Sequence, residues 1–200
     1  MTIITVTGYK GGVGKSTTAF HLAAYFADKG KTILIDGDAN RTALKWAGRN
    51  QGGLPFVVAD QRQSMKLVSG SDYIIIDTPA RPDSDDLKEL SKGCDLLILP
   101  TLPDVLSLEP MLETVHALGG AKYRALITAF PALPNKDGET MREELKEGEV
   151  PVFDAMIRRT VGFAKAALMG VAIKDHPNPR YREAWDDYEA LGKEIGGIIK

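Results

Sequence analysis

The sequence predicts an α/β fold with a mostly parallel central sheet and helices on both faces. The expectation rests on three features: short apolar runs recur along the chain, stretches of helical patterning separate them, and a glycine-rich loop joins the first run directly to the first helical stretch. A strand buried on both faces reads as a continuous apolar run, and parallel neighbours need a crossover between them.

In chain order the runs are Ile3–Val6, Thr32–Ile35, Pro55–Val58, Tyr73–Ile76, Asp95–Leu99 and Ala125–Thr128. From Ser16 to Lys29, Phe20, Ala23, Ala24 and Ala27 recur at helical spacing, and Gly30 is placed to end the helix. Val105 to Leu118 patterns as a second helix. Pro131 to Glu149, polar and acidic, reads as a loop plus an exposed helix, and Arg180 to Lys200 as a closing helix. Alternation of this kind argues for layers of helices around one sheet. With 200 residues, 44% of them hydrophobic, and neither an internal repeat nor a low-complexity linker, a single domain spanning 1–200 is expected.

The loop itself reads Lys10-Gly11-Gly12-Val13-Gly14-Lys15-Ser16-Thr17. Placed between a strand and a helix, it has the context of a phosphate-binding P-loop. Its glycines let backbone N–H groups turn inward around phosphate oxygens. Lys15 is placed to reach the β and γ phosphates, and the Ser16 hydroxyl to ligate Mg²⁺. The helix N-terminus adds its positive dipole. Two carboxylate motifs accompany it. The second run ends in Asp36-Gly37-Asp38-Ala39-Asn40 and the fourth in Asp77-Thr78-Pro79-Ala80. Acidic groups at the carboxyl ends of parallel strands lie where open α/β sheets bind ligands, and can hold Mg²⁺ through water or orient an attacking water. A turn role is the competing reading for each, most of all for Asp36, because Asx turns commonly follow strands.

Tyr9 stands where the generic pattern has its first glycine, and Lys10 precedes the glycine pair. In this form the motif resembles the deviant Walker A group of P-loop NTPases, and the order of motifs along nearly the whole chain resembles the ParA family. The resemblance implies an ATPase with ATP and Mg²⁺ as cofactors. Gly11, Gly12, Val13, Gly14, Lys15, Ser16 and Thr17 would bind nucleotide. Lys10 would be the signature lysine that reaches a partner's nucleotide across an ATP-dependent homodimer. Asp38 would support hydrolysis, Asp36 would back it, and Asp77 would be the Walker B carboxylate, with Ser16, Asp36 and Asp77 around the metal. Ala39 and Asn40 depart from the family's usual D-x-D-P-Q. Ala43 to Ala47, Leu97 to Pro103, Ile157-Arg158-Arg159 and Phe163 to Ala166 also resemble stretches of the family.

The resemblance further implies nonspecific DNA binding by the ATP dimer, hydrolysis stimulated by a small basic ParB-like adaptor, and a cytoplasmic protein that associates with the nucleoid when ATP-bound. Composition gives no global pull toward DNA: 25 Lys and Arg stand against 27 Asp and Glu, a net charge of −2. Contacts would have to come from a local stripe, for which Arg158, Arg159, Lys165, Lys174, Arg180 and Arg182 are candidates. Cys94, the single cysteine, excludes an internal disulfide, fits a reduced setting, and reads as a core thiol at a strand start. It also excludes the cluster-binding nitrogenase iron protein. The scattered His21, His116 and His176 do not read as metal ligands.

The first run is too short for a signal peptide or membrane span, and it starts too early for an N-terminal helix-turn-helix, which fits the short ParA class. A MinD-like, membrane-associated reading is weaker, because Glu189 to Lys200 carries Gly192, Gly196 and Gly197 and makes a poor amphipathic membrane helix. An ATP-dependent synthetase sharing this nucleotide domain would need a second substrate site, and no Cys-His glutaminase pair is present. By the same resemblance the cargo reads as a plasmid, a chromosomal origin, a carboxysome or another protein cluster. Lys10 tips it toward plasmid partition, since carboxysome-positioning relatives often lack that lysine.

Overall fold

The computed structural model describes residues 1–118 and 121–199. Seven strands, all paired in parallel, form one sheet: β1 (Thr2–Val6), β2 (Thr32–Asp36), β3 (Val57–Asp60), β4 (Tyr73–Asp77), β5 (Leu96–Thr101), β6 (Tyr123–Phe130) and β7 (Ile157–Arg158), in the order β3-β2-β4-β1-β5-β6-β7. Eight helices accompany them among the described residues: α1 (Lys15–Ala27), α2 (Thr42–Ala47), α3 (Ser84–Lys92), α4 (Val105–Leu118), α5 (Asp137–Glu147), α6 (Gly162–Met169), α7 (Pro179–Arg182) and α8 (Trp185–Ile198). None is long and apolar enough to cross a membrane.

The continuous apolar runs are buried because helices cover both faces. On one face α1, α2, α6 and α8 pack together, with Phe20 stacked on Trp46 at 4.4 Å and edge-on to Phe56 at 5.1 Å. On the other, Leu87, Met111, Leu118, Met141 and Leu145 bring α3, α4 and α5 onto β5 and β6. α1 is buried nearly all round, so Phe20→Ala would cost about 3–5 kcal/mol. The acidic stretch after β6 forms a loop and then α5, which turns Met141 and Leu145 inward and most of its charges outward.

Three expectations shift. The third strand begins at Val57, because Pro55 has no N–H to give a ladder and Phe56 is drawn into the core beside Phe20. As an edge strand it also leaves Val57 exposed, so it is not buried on both faces. The closing helix is two pieces: α7 starts with Pro179 behind the Asn178 cap, and α8 begins at Trp185, while Lys200 lies outside the described residues. Cys94 is half-buried just before β5, and burial pushes its thiol up, making it a poor nucleophile.

Strand order runs away from β1 in both directions. The crevice at the carboxyl ends of β1, β2 and β4 is therefore where a doubly wound sheet offers its binding site.

Candidate functional site

The loop from Lys10 to Thr17 leaves β1 and enters α1 through two left-handed residues, Gly12 (φ 80°) and Gly14 (φ 87°). Space does not demand these glycines. A Cβ at Gly12 would meet nothing within 4 Å, and one at Gly14 only the ordinary contact of Thr128 at 3.8 Å. The backbone angle demands them. Gly14 is the N-cap of α1 and makes no side-chain cap, so the first N–H groups of the helix keep their donors for a ligand. Thr128 at the end of β6 braces the loop, its hydroxyl lying 2.8 Å from the Val13 carbonyl. Gly11 and Gly12 are exposed, Val13 is buried, and Ser16 and Thr17 sit half-buried in the first turn.

The two loop lysines behave differently. Lys15 is 7% exposed, and its ammonium donates to the Lys10 carbonyl at 2.9 Å. Burial lowers its pKa, against the pull of Asp77 and Asp38. The Lys10 side chain, 34% exposed, leaves the loop for the start of α4, donating to Ser107 Oγ at 2.8 Å with Asp104 3.8 Å away.

The carboxylates divide in the same way. Asp36 and Asp77 are register partners at the ends of β2 and β4, and both are fully buried. Asp36 accepts N–H bonds from Asp38 at 3.1 Å and Leu44 at 2.9 Å, which ties both ends of the following turn to one carboxylate. Asp77 has neither oxygen paired in good geometry. Burial pushes its carboxyl up to about 7, eased by the nearby Ser16 hydroxyl and Lys15 and reinforced by Asp36 and Asp38. Asp38, half-buried, accepts the Asn40 N–H at 2.9 Å. Gly37 is a close-approach position: a Cβ there would lie 2.9 Å from Gln61 Oε1 and 3.0 Å from the Asp77 carbonyl.

Among the described residues no three His, Cys, Asp or Glu side chains group as a metal cage. A hydroxyl and a carboxylate, as at Ser16 and Asp77, are donors that suit Mg²⁺, which keeps waters and leans on phosphate oxygens. The unpaired Asp77 carboxylate beside Ser16 fits such an ion, while Asp36, with both oxygens engaged by backbone, is placed to shape the turn.

A cavity of about 130 Å³ opens beside the loop, between Gly12, Thr18, Thr128 and the segment Ile157–Thr160, with Phe163 and Tyr188 behind. Sequence reading missed it as part of the site, because β7 is only two residues long and leaves no periodicity. The sequence offers the cavity's arginines as DNA contacts and as part of a family-like stretch, not as neighbours of the loop. Within the proposed basic stripe, Arg158 is locked to Asp187 by paired bonds of 2.8 and 2.7 Å, and Lys174 to Asp28 at 2.6 Å. Neither is a free phosphate contact. Arg159, Lys165, Arg180 and Arg182 make no ion pair among the described residues. His21 is a core group: it faces Thr17 O at 2.7 Å and accepts the Ile173 N–H at 3.1 Å, and burial lowers its pKa to about 4.

A glycine loop of this shape at a helix N-terminus, with a buried lysine, a hydroxyl and an unpaired carboxylate around it, defines a P-loop nucleotide-binding domain. The chain belongs to the CobQ/CobB/MinD/ParA nucleotide binding domain family, whose pattern matches residues 4–173. Within it, "Maintenance of carboxysome distribution protein A" of Gloeobacter kilaueensis is 35% identical over 203 residues, covering 96% of this chain and 93% of the relative. A MinC:MinD cell division protein complex from Aquifex aeolicus matches with TM-score 0.75 at 16% identity, covering 98% of this chain and 96% of that one. A putative plasmid partition protein from Borrelia burgdorferi bound to AMPPNP matches at 0.70 and 20% identity, covering 96% and 99%. At those identities the two structures establish the fold.

Proposed function

We propose that this chain is a Mg²⁺-dependent ATPase that dimerises around ATP, binds DNA without sequence preference as that dimer, and positions an intracellular cargo through hydrolysis stimulated by a small basic adaptor. The observation that carries the reading is that a buried Lys15 and a buried, unpaired Asp77 stand close enough to influence each other's charge beside the loop, in a member of this family.

Lys15 and the N–H groups of Gly12 to Ser16 would hold the phosphates within one subunit. Mg²⁺ would be held by the Ser16 hydroxyl and, through water, by Asp77, and would supply charge neutralisation at the phosphates. Asp38 orients the attacking water, and Lys10, whose side chain turns away from its own loop toward Ser107, serves the nucleotide of a second copy. The cavity between Thr18, Thr128 and Ile157–Thr160 takes the nucleoside. The 35% relative, named for carboxysome distribution, moves the cargo reading from a plasmid toward a protein body.

Light scattering with Mg²⁺ tests the core of this. ATP is expected to give a dimer, made longer-lived by Asp38→Ala, and ADP a monomer. A monomer with every nucleotide, at concentrations well above the ATP affinity, would sink the reading. Two inactive variants, Lys10→Ala and Asp38→Ala, should regain part of the activity when mixed, since one site of the mixed dimer then has both groups. DNA binding should require ATP and weaken steeply with salt as counterions are released.

A further inference from the structure

The turn that carries Asp38 is closed by a side chain to which sequence reading gave no role. Arg41 stands at the N-cap of α2 in the left-handed region, φ 52°, and makes no side-chain cap there. A branched-free but bulky side chain at such an angle is held against its own preference. What holds it is a two-point contact. Nη1 donates to the Asp36 carbonyl at 3.0 Å, and Nη2 pairs with Asp60 Oδ2 at 2.8 Å. The pair is partly buried, at 28% and 25% exposure, so solvent screens it less than a surface bridge. Asp36 and Asp60 are themselves register partners at the ends of β2 and β3. Asp60 is held in turn by the Arg62 N–H at 2.8 Å, at the start of a 3-10 turn over Gln61–Lys66.

The main chain of Arg41 completes the closure, its N–H donating to the Asp38 carbonyl at 2.9 Å. One residue thus closes the Asp38 turn with its backbone and bolts that turn to two strand ends with its guanidinium. A planar fork fixes orientation where a lysine would supply only charge. No hydrogen bond or ion pair among the described residues links the Arg41 side chain to Lys10–Thr17.

We propose that Arg41, seated by Asp60, is a positioning residue that sets where the Asp38 carboxylate stands for hydrolysis; this rests on the reading of Asp38 given above. It acts on turnover and leaves nucleotide affinity to the loop. The test compares Arg41→Gln, Arg41→Lys, Asp60→Asn and the double variant R41Q/D60N with the unaltered chain and with Asp38→Ala, measuring ATP turnover and ATP affinity by calorimetry. Arg41→Gln is expected to lower kcat about tenfold, the worth of roughly one charge-assisted contact, with affinity within about twofold. The double variant should be no worse than either single one, and Arg41→Lys should recover part of the loss. An unchanged kcat, or an affinity that falls in step with kcat, would overturn the proposal. Hydrogen exchange reads the same contact without turnover: the Leu44 amide should exchange faster in Arg41→Gln, and the Arg41 and Leu44 amides in Asp60→Asn, while those of β1 do not change. Unaltered exchange defeats the positioning role. An unaltered chain that binds ATP yet turns over no faster than Asp38→Ala defeats the hydrolysis reading instead.

Discussion

β2 and β4 end side by side, Asp36 opposite Asp77, and both carboxylates are sealed from solvent. One is saturated with backbone donors and the other has none in good geometry. The difference lies in the residues that follow. An Asx turn needs an N–H two residues on. After Asp36 that position is Asp38, which donates, and the chain then turns into α2 and presents the Leu44 N–H as well. After Asp77 it is Pro79, which has no N–H, and the Thr78 hydroxyl turns away to Val6 and Thr7. Equivalent places in a parallel sheet thus yield a turn anchor in one strand and a carboxylate available to a cation in the next.

The largest effect expected from this contrast is in the pH dependence of the nucleotide-free protein. Asp77 holds its proton up to about pH 7 when folded and to about 3.8 when unfolded. The folded state binds more protons across that window, so this group's contribution is full below about pH 4 and is lost as pH rises to 7, roughly 4 kcal/mol in all. His21 has the opposite sign. Its folded pKa is about 4 against 6.5 unfolded, so its contribution grows over that interval by roughly 3 kcal/mol. The two oppose each other between pH 4 and 6.5. Urea melts should therefore show a shallow profile for the unaltered chain and a rising one for Asp77→Asn; superposable profiles would break the contrast.

Asp36→Ala comes next. It strands two partly buried N–H groups and should lower stability by about 2 kcal/mol at neutral pH, whereas Asp77→Asn should raise it. Thermal melts of the two variants check the opposite signs. A smaller effect sharpens the Asp77 side: Mg²⁺ and nucleotide binding near pH 7 should release about half a proton as the carboxyl ionises, seen as a buffer dependence of the binding heat that Asp77→Asn removes. The smallest belongs to Lys10. Its contacts with Ser107 and Asp104 are partly solvated, so Lys10→Ala should change stability by less than about 1 kcal/mol, and a thermal melt would show it.

Much of the site was legible from local pattern. The phosphate loop declares itself because positive φ at Gly12 and Gly14 and the helix start after them are consequences of adjacent residues. The proline after Asp77 was also there to be read. Contacts across the fold were not. Lys10 finds Ser107 97 residues away, Arg158 finds Asp187, and β7 exists only because β6 is there to pair with it.

By itself, then, the sequence determined the α/β class, the phosphate loop and the strand-end carboxylates, because hydrophobic period, backbone angle and helix capping depend on near neighbours. Tertiary structure alone decided which of those groups are free to act. It joined Asp36 to Leu44, drew Arg158 and Lys174 out of the basic stripe, left Asp77 unpaired, and clamped Arg41 between two strand ends. The physical reason is that a charge's chemistry is set by its burial and its partners, and those come from whichever segments the fold brings together.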